Sequence, residues 1–216
     1  MDIYDVRPKA DRLRCEVLCK LLESHGFKAQ YTEDKAAACE AALKLIPQDA
    51  SVGVPGTVTV REIGLYGALK KRGNKISDHW ESQPDPEEKQ KTWIGELMSD
   101  WFIMSTNALS VAEGIFVNID GTGNRVGAMS WAPGKLLIIA GINKLAPDIH
   151  AAIGRARDEA SVTNAVRFSA DTPCTKTGRC VDCSSPHRIC NIVTLLERAP
   201  IGREVHVILV GEPLGY

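Results

Sequence analysis

The chain reads as an α/β protein built on a largely parallel sheet. Short apolar runs alternate with helix-length segments along most of its 216 residues, the order that crossover helices between parallel strands require. Small or polar residues follow four of those runs, at the positions where open α/β sheets place their ligands. A 44% hydrophobic content over this length supplies one globular domain with a substantial core and no need of disulfide staples.

Taken in order, Leu13, Val17, Leu18, Leu21 and Leu22 recur at helical spacing, and Gly26 closes that helix. Cys15 and Cys19 lie on it one turn apart and read as core residues, as does Cys39 in the Ala-rich helix that Asp34 caps. A strand at Ser51–Val54 leads to a helix over Val60–Leu69, and Lys75–Ser77 is a short strand. The acidic, Pro-containing stretch Gln83–Glu88 is a surface loop before a helix over Glu87–Met98. Trp101–Met104, Ile115–Asn118 and Leu136–Ala140 have strand character. Pro147 opens a helix that runs to about Asn164. An irregular cysteine-rich segment follows, and Val205–Val210 returns to the core. The expected organisation is a single domain, with a helical part at 1–48, an α/β core at 49–170, a cysteine loop at 171–192 and a closing strand within 193–216.

The formal net charge is -1 and no basic stripe occurs, which argues against nucleic acid and a membrane surface as partners. No stretch approaches the roughly 18 apolar residues of a membrane span. The first residues lack the pattern of a signal peptide, so a cytoplasmic location is expected, where the seven cysteines are thiols or metal ligands.

The strand ends carry the candidate ligand groups. Gly56, Thr57 and Thr59 follow the first core strand, Asp78 the second, Ser105 and Asn107 the third, and Asn143 and Lys144 the strand at 136–140. Hydroxyls, amides and a lysine suit a phosphate or carboxylate, although turns and helix caps use the same residues. The run Gly121-x-Gly123-x-x-x-Gly127 departs from the dinucleotide fingerprint, so a Rossmann reading is rejected. Asn124 and Arg125 beside it can offer a guanidinium fork to an anion. Glu113 is a lone carboxylate before a glycine, either solvated or a nucleophile.

Cys174, Cys180, Cys183 and Cys190 form a C-x5-C-x2-C-x6-C segment. Zinc usually takes two close pairs, whereas only one pair is close here. A [4Fe–4S] cluster also takes four cysteines, but the spacing is that of neither common ferredoxin string. Both ligands stay open on spacing alone.

The stretches SVGVPGTVTVREIGL, STNALSVAEGIFVNIDGTGNRV, LLIIAGINKLAPD and TPCTKTGRCVDC together resemble the LUD-domain family of lactate-utilisation proteins, and the cysteine-rich tail resembles that of a subgroup. The resemblance implies a three-layer α/β fold like that of CoA transferases, ribose-phosphate isomerase and formyltetrahydrofolate cyclo-ligase. It implies an iron–sulfur-associated role in the use of small organic acids such as lactate, a small anionic metabolite as ligand, and iron–sulfur oxidoreductase subunits as partners. That association favours a [4Fe–4S] cluster over zinc at the four cysteines. Ala112-Glu113-Gly114 is similar to the transferase nucleophile site, which leaves two alternatives. One is an enzyme of CoA-transferase or isomerase type with a metal staple in the tail. The other is a ligand-binding regulator without chemistry.

Overall fold

A computed structural model describes residues 6–81 and 85–216. Its elements are α1 (Val6–Ser24), β1 (Lys28–Thr32), α2 (Lys35–Leu45), β2 (Val52–Gly53), α3 (Val58–Glu62), α4 (Leu65–Arg72), β3 (Ile76–Ser77) and α5 (Pro86–Leu97). These are followed by β4 (Trp101–Met104), β5 (Ala108–Ser110), β6 (Phe116–Asp120), α6 (Asn124–Ser130), β7 (Lys135–Gly141), β8 (Leu145–Ala146) and α7 (Ile149–Arg155). A π-helical stretch at Ala156–Ser161 joins α7 to α8 (Val162–Arg167), and α9 (Cys174–Thr177), β9 (Ile192–Leu196) and β10 (Val205–Val210) complete the chain.

The central sheet has six strands in the order β1-β10-β7-β4-β2-β3, all parallel. Alternate side chains of its inner strands enter two separate cores, as the two-residue period of a strand dictates. Phe102, Met104, Leu136, Ile138, Val205 and Val207 pack with Leu18 and Leu22 of α1 on one face. Trp101, Ile103, Leu137, Ile139, Ile208 and Val210 pack with residues of α2, α3 and α4 on the other. Burying each such Leu, Ile or Val stabilises the fold by about 2 kcal/mol relative to leaving it in water. Cys15 and Cys19 are buried on α1, and burial pushes their thiols up to about 11 and about 12. They are neutral core residues.

A second sheet, in the order β8-β5-β6-β9, was not legible beforehand. Its inner face joins the first core through Leu109, Phe116 and Leu196, with Phe116 edge-on to Phe27 at 5.3 Å. Its outer face packs on α7 and the π-helical stretch through Val117, Ile119, Ala152 and Ala156. The segment 1–48 also holds more than helix, since Lys28–Thr32 is the edge strand that pairs with β10. The helix expected over Val60–Leu69 is split, because Gly64 at φ +76° adopts a left-handed conformation that breaks it into α3 and α4. The loop expected over 83–88 lies partly outside the described residues, and Asp85 already caps α5 by accepting from the Glu88 N–H at 2.9 Å. Asp34 and Asp148 cap α2 and α7 in the same way.

Because the strands of the central sheet run in one direction, the ends of β2, β3, β4, β7 and β10 share one edge. β5 starts at that edge and β6 returns to it. The residues that follow these strands are therefore gathered from six parts of the sequence.

Candidate functional site

A cleft of about 360 Å³ lies at that edge, within the range of small-molecule sites. Gly56, Thr57 and Thr59 line it after β2, Ser105 and Asn107 after β4, Asn124 and Arg125 after β6, and Lys144 after β7. Lys89, Arg167, Trp80, Trp93 and Tyr216 complete much of the wall. Four cations and one carboxylate, Asp120, face the space, so the cleft is electropositive.

The groups differ in how far the fold already uses them. Thr57 is 7% exposed and its hydroxyl has no hydrogen-bond partner. The Ser105 hydroxyl and the Trp93 indole N–H are also buried without a partner. Buried polar groups are nearly always satisfied, so three such orphans along one cleft are unusual. Asn107 is committed to structure, since its side-chain oxygen accepts from the Ile119 N–H at 2.7 Å. The Asn124 side-chain oxygen accepts from the Thr122 hydroxyl at 2.8 Å. Arg125 donates to the Ile119 carbonyl at 2.7 Å and lies 3.5 Å from the Asp120 carboxylate. Lys144 is 1% exposed and donates to the backbone carbonyl of Tyr216. Burial, with Arg155 nearby, pushes its amine down to about 7.

Two expected ligand residues stand outside the lining. Asp78 is buried behind it, paired with Arg61 and accepting from the Trp80 N–H at 2.9 Å. Asn143 pins the segment at 214–215, accepting from the Leu214 N–H at 2.9 Å and donating to the Leu214 and Gly215 carbonyls at 3.2 Å. Glu113 departs further from expectation. It sits in the turn that joins β5 to β6, at the opposite end of both strands from Asn107 and Asp120. It is absent from the cleft wall, next to a glycine that faces Leu21 and His25. Glu113 and the cleft therefore lie at opposite ends of β5 and β6.

Cys174, Cys180, Cys183 and Cys190 are half-buried free thiols that line one small apolar pocket. Arg157 and Arg188 share that pocket, and Ser161 and Ile189 belong both to it and to the cleft. The cysteine pocket therefore adjoins the cleft across a single wall. The loop is fixed by the Cys180 N–H donating to Asp158 at 2.9 Å and by Arg188 donating to the Cys183 carbonyl at 2.6 Å. One guanidinium nitrogen of Arg157 is buried with no hydrogen bond, 3.5 Å from the Asp182 carboxylate. Among the described residues, no three of the cysteine sulfurs lie within 4.8 Å of one another. Thiolates about 2.3 Å from one tetrahedral zinc would sit closer than that.

A family model for the LUD domain matches residues 15–210. The chain belongs to the LUD-domain family. It is also similar to a crystal structure of a DUF162 family protein from Deinococcus radiodurans, at 12% identity and a TM-score of 0.53, over 93% of this chain and 98% of that one. At that identity the likeness bears on the fold. No curated protein matches the chain in sequence.

This LUD domain holds two further features that sequence reading missed. The first is a stack of alternating rings and guanidiniums. Arg61 lies 4.5 Å from the Tyr66 ring and 4.6 Å from Trp80, while Arg167 lies 4.6 Å from Trp80 and 4.0 Å from Phe168. It ties the loop after β3 to the end of α8 and fixes Arg167 at the cleft. The second is the trio Asp78, His79 and Glu96, whose ligand atoms lie within 4.8 Å of one another. Arg61 already neutralises Asp78 and His79 engages Glu96, so a cation there would have to displace internal donors. No helix among the described residues is long and apolar enough to cross a membrane.

Proposed function

We propose that this LUD domain binds a small anionic metabolite of the lactate type in its cleft and carries a [4Fe–4S] cluster at Cys174, Cys180, Cys183 and Cys190. In this reading it is a cytoplasmic component of organic acid utilisation that works with iron–sulfur oxidoreductase subunits. The observation that carries the ligand is the set of unsatisfied donors at Thr57, Ser105 and Trp93, surrounded by Lys144, Arg125, Arg167 and Lys89. A carboxylate or phosphate supplies the acceptors those donors lack, and the cations offset its charge. The cluster reading is supported by the pocket that all four cysteines line and by the two guanidiniums beside it, because a thiolate-ligated cluster is anionic. When bound, such a cluster supplies one-electron chemistry. The residues of the chain hold it, screen its charge and keep it one wall from the ligand.

Purification without oxygen tests the proposal. Brown protein with about four irons and four sulfides per chain is the expected result. Colourless protein with stoichiometric zinc overturns the cluster. For the ligand, lactate, pyruvate and inorganic phosphate are each expected to raise the melting temperature. Thr57→Val and Arg125→Gln are expected to lose that rise, and no rise in the unaltered protein overturns the anion site.

A further inference from the structure

Lys144 ends the short turn Ile142–Lys144 that follows β7. It is 1% exposed and yet lines the cleft. Two contacts place its amine. Nζ donates to the backbone oxygen of Tyr216, and a side chain on Gly215 would come 3.7 Å from Nζ and 2.8 Å from the Thr59 hydroxyl. Thr59, Gly215 and Tyr216 all line the cleft as well. The amine therefore lies at the cleft wall, at the inner end of a buried side chain.

The fold does not need this lysine to hold the segment it touches. A side chain on Gly141 would come 2.5 Å from the Glu212 carbonyl oxygen and 2.6 Å from the Leu214 nitrogen, so that segment runs directly over the end of β7. Asn143 makes three hydrogen bonds to Leu214 and Gly215. Glu62 accepts from the Gly215 N–H at 2.6 Å. Arg155 fixes the turn itself by donating Nε to the Asn143 carbonyl at 2.6 Å.

A buried lysine ordinarily has a carboxylate partner. Among the described residues, no aspartate or glutamate forms an ion pair with Lys144. The charged groups nearby are Arg155, which repels the ammonium, and Glu62 and Glu159, which favour it. Burial and Arg155 prevail, so a large share of the amine is neutral near pH 7. A neutral amine that gives one N–H to Tyr216 keeps its lone pair, which is the state a lysine nucleophile requires. Arg125 and Arg167 line the same cleft and offer forks for a carboxylate.

We propose that Lys144 forms a reversible imine with a 2-oxo acid whose carboxylate is held by Arg125 and Arg167. The amine lone pair makes the C–N bond while the carbonyl π pair moves onto oxygen. Both amine protons then leave with that oxygen as water, and the nitrogen is left doubly bonded to the ligand carbon. Water reverses the step, so no oxidant or reductant is consumed. The inference rests on the anion-binding cleft proposed above and names its ligand class.

Pyruvate with sodium cyanoborohydride tests this by mass spectrometry and peptide mapping. The reagent transfers hydride to the imine carbon and leaves one carboxyethyl group on the nitrogen. In the unaltered protein, Lys144 is expected to be labelled about tenfold faster than the exposed Lys70. Lactate carries the carboxylate without the carbonyl, and it is expected to slow that labelling several-fold. Lys144→Arg is expected to abolish the fast label. Labelling of Lys144 no faster than that of Lys70 overturns the proposal. That comparison needs no variant, so a misfolded Lys144→Arg leaves it decisive. Calorimetry separates the two layers. If pyruvate or inorganic phosphate binds while Lys144 stays unlabelled, the cleft stands and the imine falls. If neither binds and Lys144 stays unlabelled, the cleft reading falls with it.

Discussion

Asp120 connects the strand, the helix and the cysteine loop at one residue. It accepts from the Gly121 N–H at 2.8 Å and from the Arg125 and Val126 N–H groups at 3.1 and 3.3 Å. It also holds the Arg125 guanidinium, and its backbone carbonyl accepts from the Asn191 N–H at 2.9 Å. Asp120→Ala leaves three amides without an acceptor at a 4% exposed position. We expect it to lower unfolding free energy by about 2–4 kcal/mol in urea titrations, with Asp120→Asn nearer 1 kcal/mol, since an amide oxygen still accepts. Equal losses for the two variants would mean that the charge on Arg125, and not the amides, is what Asp120 serves. At this scale the sequence was informative where chemistry follows strand ends. Thr57, Ser105 and Lys144, expected at strand ends, line the cleft because a parallel sheet puts such ends together, and Arg125 joins them because β6 returns to the same edge. The place of Glu113 was not legible, because a glycine after a glutamate says nothing about which end of a hairpin it occupies. Glu96 was missed because a glutamate inside an amphipathic helix looks like any solvated one.

Among the elements, β4, β7 and β10 were legible because strands buried on both faces are apolar throughout, and Leu137, Ile138 and Val207 each enter a core. β1 and β5 were not, for opposite reasons. Lys28–Thr32 is an edge strand whose outward residues are polar, and Ala108–Ser110 is too short to show a period. The helix after Pro147 was found, but its π-helical stretch carries no composition signal. That stretch is the wall between the two sites, with Asp158 holding the cysteine loop and Ser161 lining the cleft, a placement in keeping with the functional bias of π-helical turns. The packing of α5 yields a prediction at the same scale. Gly53→Ala puts a methyl group against the backbone of Glu96, and the helix must move away. A loss of about 1–3 kcal/mol in unfolding free energy, read by urea titration, is expected from overpacking. An unchanged unfolding free energy for Gly53→Ala would show that β2 and α5 have room to spare.

For the whole molecule, the question is whether the cysteine site and the cleft act on each other. The segment 171–191 has little apolar content to order it, with Arg179, Val181, Asp182 and His187 all exposed. The cluster proposed for its four cysteines would add order to such a loop. Its outgoing arm is bonded to the cleft turn, through the Asn191 N–H on the Asp120 carbonyl and the Asn191 side chain on the Gly121 carbonyl at 3.3 Å. Ile189 also abuts Gly121, where an added side chain would come 3.0 Å from the Ile189 carbonyl oxygen. Loosening the cysteine loop therefore removes one side of the support under Gly121 to Arg125. The core strands are anchored independently, since β7 and β10 bury their side chains in two cores that the loop does not enter. If the proposed cluster is present, removing its iron with a chelator, or introducing Cys180→Ser, should accordingly raise amide hydrogen exchange at 174–191 and also at 120–126, while β7 and β10 stay protected. Phosphate affinity should fall with it, because Arg125 hangs from the same turn. Faster exchange confined to 174–191, with phosphate affinity unchanged, would instead make the tail a separate staple that only happens to lie against the wall of the cleft.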